Sequence, residues 1–407
     1  MVDATTPTAQ GKTPIAQDDT AKTAYVILAA ISGCHFLNDL MQSLLAAIYP
    51  MLKAEFALSF WQIGLLTFFF QLTASLLQPV VGIVTDRHPF AWSLPIGMFA
   101  TLCGLGLLAS APSYGMLLCG AGLIGIGSSV FHPEASRVTR AASGGRFGTA
   151  QSVFQVGGNF GTAAGPLLAA FIVVPFGRGS VAWFALAALI GMVILVNVSR
   201  WHIRERLAAA KRKATTNPKR LPRNRVITAV TVLLLLIFSK HVYMASMTSY
   251  YTFFLIDRFG LSTPQAQKML FFFLAAVAVG TVIGGPVGDR IGRRTVIWVS
   301  ILGVLPFTLI LPYANLFWTG TLSVIIGITL ASAFPAIVVF GQELMPGRVG
   351  MVAGLFFGVA FGVAGIAAAA LGVVADATSI ETVFSICAFL PILGLLTIFL
   401  PRRHELS

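Results

Sequence analysis

Residues 285–294 read Gly285-Pro286-Val287-Gly288-Asp289-Arg290-Ile291-Gly292-Arg293-Arg294, and residues 82–87 read Gly82-Ile83-Val84-Thr85-Asp86-Arg87. The offset between them is 203 residues (285 − 82), and it aligns Gly82, Asp86 and Arg87 with Gly285, Asp289 and Arg290. At nearly the same offset Gly125 and Pro133 meet Gly327 and Pro335. Each charged stretch joins one long apolar run to the next. A charged connection repeated half a chain apart between apolar runs predicts two similar membrane-embedded halves, with a site between them at mid-depth.

Composition agrees. The chain is 57% hydrophobic and 10% charged, with a mean hydropathy of +0.86, whereas a soluble domain carries about 25% charged residues. A polar surface for a soluble fold of this size is lacking, so the chain presents apolar surface to lipid. Glycine is abundant, which suits close helix packing in a bilayer. The net charge of +13 does not indicate nucleic acid, because the basic residues sit in short connections between apolar runs. Cys34, Cys103, Cys119 and Cys387 lie inside such runs, so neither a disulfide framework nor a metal site is expected.

Spans of about 20 apolar residues are predicted near 24–52, 59–84, 91–111, 114–137, 147–173, 180–200, 226–256, 265–288, 295–313, 316–345, 348–374 and 379–400. The fold class is an all-α membrane protein of twelve helices. The expected organisation is a tail at 1–23, a six-helix half at 24–200, a basic connector at 201–225, a second half at 226–400 and a tail at 401–407. Residues 1–22 are polar, with Asp18 and Asp19, so no cleaved signal is expected. One side of the layout holds Lys53, Arg178, Arg258 and Lys268, and Lys240 falls within a span. Every other Lys and Arg among the 27 falls on the opposite side, including Lys12, Lys22, Arg137, Arg212, Lys213, Lys219, Arg220 and Arg403. The positive-inside rule makes that side, with both termini, cytoplasmic.

The 285–294 run resembles the loop motif of the major facilitator superfamily, Gly-x-x-x-Asp-Arg-x-Gly-Arg-Arg/Lys. The 82–87 copy is degenerate and lacks the closing Gly-Arg-Arg. Gly82 and Gly285 permit close helix contact, and Asp86 and Asp289 suit a facing helix N-terminus. Arg87, Arg290, Arg293 and Arg294, together with Arg137, stay at the headgroups and gate the halves. Gly157, Gly161, Gly165 and Pro166 resemble the antiporter motif of proton-coupled drug exporters in that superfamily. Ser152 and Ala169-Ala170 depart from that motif, and ordinary small-residue helix packing is the alternative. Ala121 stands where the superfamily often carries an Arg. The segments 127–137 and 151–161, with Phe238-Ser239-Lys240 and Ser249-Tyr250-Tyr251-Thr252-Phe253, resemble the fosmidomycin-resistance branch over all twelve spans. That resemblance implies a monomeric exporter in a bacterial inner membrane, taking fosmidomycin or a related small anion out and protons in. The proton gradient is then the energy source, with no cofactor.

Ionisable groups at membrane depth cost roughly 2.5–3.5 kcal/mol each on insertion scales, so each one present invites a function. His35, Asn38, Asp39 and Gln42 share one helical face at i, i+3, i+4 and i+7. Gln71, Ser75 and Gln78 form a second stripe, and Gln151, Gln155 and Asn159 a third. Each stripe is either the wall of a wet cavity or interhelical hydrogen-bond glue. The 203-residue offset maps Lys240 and His241 beside Leu37 and Asn38, one step from Asp39. Lys240 then meets either an anionic substrate or Asp39 itself, and Tyr243 and Tyr250 continue the wall. Asp39, His132 and Glu134 are the proton-coupling candidates, with a gate salt bridge as the alternative for Glu134. Aromatic runs such as Phe68–Phe70 and Phe271–Phe273 read as lipid-facing or packing residues. A facilitator importing or exchanging an anionic metabolite, with drug export incidental, is the other functional reading. An enzyme is excluded, since no nucleophile, metal set or phosphate loop is visible.

Overall fold

The computed structural model describes residues 23–211, 221–402 and 405. The expectations placed on Lys12, Lys22, Arg212, Lys213, Lys219, Arg220 and Arg403 lie outside them. The described residues are entirely helical and irregular, without strands. The first long helix, α1, is Tyr25–Ala47. Among the described residues, eleven other helices are long and apolar enough to cross a membrane. They are α2 (Trp61–Arg87), α3 (Ser93–Ser110), α4 (Tyr114–Ala142), α5 (Phe147–Phe176), α6 (Arg178–Ala208), α7 (Arg223–Phe259), α8 (Gln265–Ile291), α9 (Arg293–Tyr313), α10 (Leu316–Leu344), α11 (Val349–Ala377) and α12 (Ile380–Phe399). α1 is less apolar because His35, Asn38, Asp39 and Gln42 interrupt it. Its length still reaches about 34 Å at 1.5 Å per residue, enough to cross the hydrocarbon core.

The boundaries differ from the sequence expectation for physical reasons. The first span does not run to 52, because a separate short helix, Tyr49–Glu55, starts with Pro50 in its first turn. Proline lacks the N–H that would continue the ladder of α1. At the other end of the first half, the helix containing α6 continues past residue 200 to Lys211.

Large apolar side chains cover the outside, among them Phe68, Phe69, Phe171, Phe176, Phe271, Phe272 and Phe317. Phe273, next in that run, is instead buried beside Tyr251. Glycines set the closest helix contacts. A Cβ on Gly157 would overlap the Ser32 carbonyl of α1, one on Gly161 the Phe36 carbonyl, and one on Gly165 the Ser43 hydroxyl. The stripe that resembles an antiporter motif therefore packs α5 onto α1. Between halves, a Cβ on Gly82 would overlap the Gly350 carbonyl, and one on Gly285 the Gly148 carbonyl. The repeated glycines are thus where α2 crosses α11 and where α8 crosses α5.

Capping separates the two ends of the bundle. Away from the basic connections, Ser59, Ser262, Asn315 and Ser379 cap the helices that follow them, two of them through full capping boxes. At the basic end α5 and α11 begin without a cap of their own. Their orphan N–H groups are satisfied by the other half.

Candidate functional site

At the basic end, Asp86 of α2 accepts from the Gly350 N–H at 3.0 Å and the Met351 N–H at 2.7 Å, at the start of α11. Asp289 of α8 accepts from the Gly148 N–H at 2.9 Å, and from the Thr149 N–H and hydroxyl at 2.8 Å each, at the start of α5. A carboxylate at a helix N-terminus satisfies orphan donors and meets the positive end of the helix dipole. Each half therefore caps a helix of its partner. Arg137 joins Asp86 at 2.6 Å and Glu134 at 2.7 Å. Arg293 joins Asp289 at 3.1 Å and Glu343 at 3.2 Å. Arg140 of α4 donates to Gln342 of α10 at 3.2 Å, and Gln342 donates to Ser136 at 3.0 Å. Of the two sequence alternatives for Glu134, its geometry is that of the gate: the arginine and Ser93 hold it, and Asp39 does not. Arg87 is exposed. Arg290 lines a cavity of about 950 Å³ with Arg140, Arg146 and Arg293. Arg294 donates to the Thr397 and Ile398 carbonyls at the end of α12. At the opposite end, the ion pairs Arg178–Glu55 at 2.8 Å and Arg258–Glu381 at 2.9 Å each stay within one half. The halves are thus tied together at the basic end.

Deeper in the bundle α1 and α4 build a second cluster. Asp39 and His132 lie about 21 and 15 Å along their helices from the basic end. His35 Nε2 is 3.3 Å from Asp39 Oδ2, and His132 Nε2 is 3.4 Å from Asp39 Oδ1. The other ring nitrogens are committed. His35 Nδ1 faces the Phe154 carbonyl at 2.7 Å, and His132 Nδ1 faces the Ser128 carbonyl at 3.0 Å. A carbonyl can only accept, so His35 Nδ1 carries hydrogen and a neutral His35 ring turns its Nε2 lone pair toward the carboxylate. His132 Nδ1 also lies 3.3 Å from the Ser128 hydroxyl, which can donate to it, so either His132 tautomer satisfies that ring. Where an Nε2 lone pair faces the carboxylate, a proton added to either group turns a repulsion into a hydrogen bond. One atom from each of the three groups lies within 4.8 Å of the others, so a single added proton is within reach of all three. Asn38 and Gln42 donate to Asp39 Oδ1 at 3.0 and 3.1 Å and fix its orientation.

His35 and His132 are both fully buried. The expectation that His35 lines a wet wall does not hold in this conformation: its ring stacks on Phe154 at 4.0 Å. Phe131, Phe357 and Phe361 complete an aromatic collar. Gly158 makes the cluster fit, since a Cβ there would lie 2.5 Å from His35 Nε2 and 2.8 Å from Asp39 Oδ2.

Lys240 and His241 sit across the interface on α7. Lys240 is buried, with Nζ 5.1 Å from the centre of the Phe334 ring. His241 also meets Phe334, at 5.3 Å, and its Nδ1 donates to the Ile237 carbonyl. The expected alternative of a direct Lys240–Asp39 pair is not formed. Among the described residues Lys240 joins no salt bridge, and Asp39 pairs with the histidines. The wall predicted to follow Lys240 is also dismantled. Tyr243 is buried in the core of the second half, and the Tyr250 hydroxyl donates to the Ala368 carbonyl of α11. Of the bonds made by the amide stripes, the one from Asn159 crosses between the halves. Gln155 donates to Asn159 at 3.4 Å, Asn159 donates to Thr281 of α8 at 3.3 Å, and Gln71 accepts from Ser75.

Sequence reasoning missed Phe334, Phe357, Phe361, Gly158 and Thr281. The adjacent Gly157-Gly158 pair was a usable signal for close approach. The phenylalanines carried none, because in apolar runs they look like all the others.

The family model described as Major Facilitator Superfamily matches residues 31–369 and 243–407. The chain is 64% identical over 388 residues to the fosmidomycin resistance protein of Escherichia coli (strain K12), covering 95% of each. It is 39% identical over 389 residues to the uncharacterized MFS-type transporter YfnC of Bacillus subtilis (strain 168), covering 94% of this chain and 95% of that one. Among solved structures, the human organic anion transporter MFSD10 superposes with a TM-score of 0.72. It covers 92% of this chain and 100% of its own, at 16% identity, which speaks for the fold alone.

Proposed function

Because the chain belongs to the major facilitator superfamily and is a membrane transporter, not an enzyme, we propose that it exports fosmidomycin or related small anions in exchange for protons. The observation that carries this reading is the buried Asp39 carboxylate on which two imidazole Nε2 atoms converge. The relative that is 64% identical supplies the cargo. Lys240, buried without a carboxylate partner among the described residues, supplies a cationic contact for it.

In the proposed cycle the basic end is cytoplasmic, as the positive-inside rule requires, in a bacterial inner membrane. The conformation with Asp86 and Asp289 capping their opposite helices is closed toward the cytoplasm. A proton reaches the Asp39 cluster from the outer side and settles between the carboxylate and an Nε2. The caps then release, the halves rock, and the proton leaves inward as the anion binds near Lys240. Return to the capped state delivers the anion outward. Since the path lies between two halves of one chain, a monomer suffices. Exchanging one proton inward for one monoanion outward moves two charges across the membrane. At 100 mV that supplies about 4.6 kcal/mol, enough to hold roughly a thousandfold gradient at 1.4 kcal/mol per decade.

The test uses everted vesicles from a transporter-deleted bacterium expressing the chain. With the lumen acidified, labelled fosmidomycin accumulates inside, and a protonophore collapses the accumulation. Uptake that ignores the pH gradient, or runs only the other way, points to the metabolite facilitator instead.

A further inference from the structure

The Asp39 cluster and Lys240 are joined by an unbroken line of rings. Lys240 and His241 meet Phe334 at 5.1 and 5.3 Å. Phe334 meets Phe357 edge to face, 5.1 Å between centres and 87° between planes. Phe357 then meets His132 at 5.1 Å, Phe154 at 6.1 Å and His35 at 6.4 Å. Phe357 is fully buried and Phe334 nearly so.

Where these rings come from is what matters. Phe131 and Phe154, on α4 and α5, belong to the same half as the histidines and move with them. Phe357 and Phe361, on α11, and Phe334, on α10, belong to the other half. The collar is therefore closed by the partner half, and any rocking of one half against the other withdraws Phe357 and Phe361 from the histidines. The charged and titratable groups facing this line are His35 and Asp39 from α1, His132 from α4, and Lys240 and His241 from α7. α5, α10 and α11 present rings there. While the collar is shut, both Nε2 atoms are buried and aromatic rings pack against both imidazoles, so few further polar groups stand near to continue a chain of waters. A bridging water needs two to four polar partners, and a proton needs such a chain to move.

We propose that Phe357, backed by Phe334, is the insulating residue that separates the proton site from the cargo site. Protons pass between them only once Phe357 is withdrawn, as it is when the halves rock and cargo reaches Lys240. This rests on the proton-exchange reading above and adds to it the residues that prevent a futile leak. Phe357 positions and shields. It contacts neither proton nor cargo in the exchange itself.

The test needs no cargo. Purified protein is reconstituted into liposomes with a pH-sensitive dye inside, a pH step is applied, and proton flux per transporter is recorded. Wild type conducts slowly. Phe357→Ala raises cargo-free flux at least tenfold, while Phe357→Leu, which keeps apolar bulk, stays within twofold of wild type. Phe357→Ala combined with Asp39→Asn falls back to the wild-type rate, because the leak runs through the cluster. If the alanine variant does not survive purification, Phe357→Val reads the same flux and gives the same rank order. A truncated variant no leakier than wild type overturns the proposal, and so does a leak that survives Asp39→Asn, which marks a nonspecific hole. Fosmidomycin export by the Asp39→Asn single variant with intact pH dependence would instead remove the exchange reading itself, whatever Phe357 does.

Discussion

Replacing Asp289 by Asn keeps the shape of the side chain and removes its charge. In the structure Asp289 accepts three cross-half hydrogen bonds from Gly148 and Thr149, each at 2.8–2.9 Å. It also anchors Arg293 at 3.1 Å. Bonds to an ionised acceptor are worth about 1.5–3 kcal/mol net, and neutral ones about 0.5–1.5. Three bonds weakened by about 1 kcal/mol each give about 3 kcal/mol. The loss at the helix dipole adds up to about 1 kcal/mol. Partial relaxation and water entering the gap offset part of this, so about 2–3 kcal/mol is expected. All of it falls on the conformation in which the basic ends touch, because the contact exists only there. The equilibrium between closed and open basic ends therefore shifts by roughly 30- to 150-fold toward open. Spin labels on cysteines placed at Ala141 and Arg348, exposed positions on the two halves, report the separation by pulsed electron resonance. The variant's distance distribution gains a longer component that the wild type lacks. Asp86→Asn, its pseudo-twofold counterpart, shifts the distribution the same way. Unchanged distributions in both variants would refute the claim that these carboxylates hold the halves together.

Other consequences are equally direct. Gly161→Leu forces a side chain into the Phe36 carbonyl of α1. Overpacking costs about 1–3 kcal/mol or more, so folded yield in detergent drops sharply, while Gly106→Leu, where a Cβ meets nothing within 4 Å, is tolerated. Lys240→Ala raises the fosmidomycin concentration for half-maximal export at least tenfold, and Lys240→Arg restores part of it. An unchanged half-maximal concentration removes Lys240 from cargo contact. Arg294→Ala removes two hydrogen bonds to carbonyls at the end of α12. It lowers thermal stability by about 1–2 kcal/mol without changing the proton-to-cargo ratio.

The fold was legible because bilayer physics writes it plainly. A span needs a long apolar run, and the runs ending at residues 111, 313 and 345 match helices ending at Ser110, Tyr313 and Leu344. The repeated Gly-x-x-x-Asp was legible as a cross-half contact, since a glycine with an aspartate one turn on suits a close crossing that ends at a helix N-terminus. The polar cluster was legible in part. Asp39 and His132 stood out because charge at membrane depth is costly, but their meeting depends on α1 packing beside α4, which no periodicity reports. Helical spacing also misplaced residues. His132 and Glu134 are two positions apart and face different neighbours, one the carboxylate and one the arginine. Tyr243 shares a face with Lys240 yet is taken up by packing inside its half. Pattern shows which residues share a face and leaves open what that face meets. Phe357 is the extreme case: its importance comes from which half carries it, not from its type.

The central claim is that one site couples the two flows, and cargo-evoked proton movement tests it most directly. Everted vesicles are given an acid lumen, a fluorescent probe follows lumenal pH, and fosmidomycin is added outside. Wild type predicts an immediate lumenal alkalinisation that saturates with fosmidomycin concentration, and Asp39→Asn at equal expression predicts none. Fosmidomycin accumulation by wild type without any proton movement, or an undiminished proton signal in Asp39→Asn, would contradict the account.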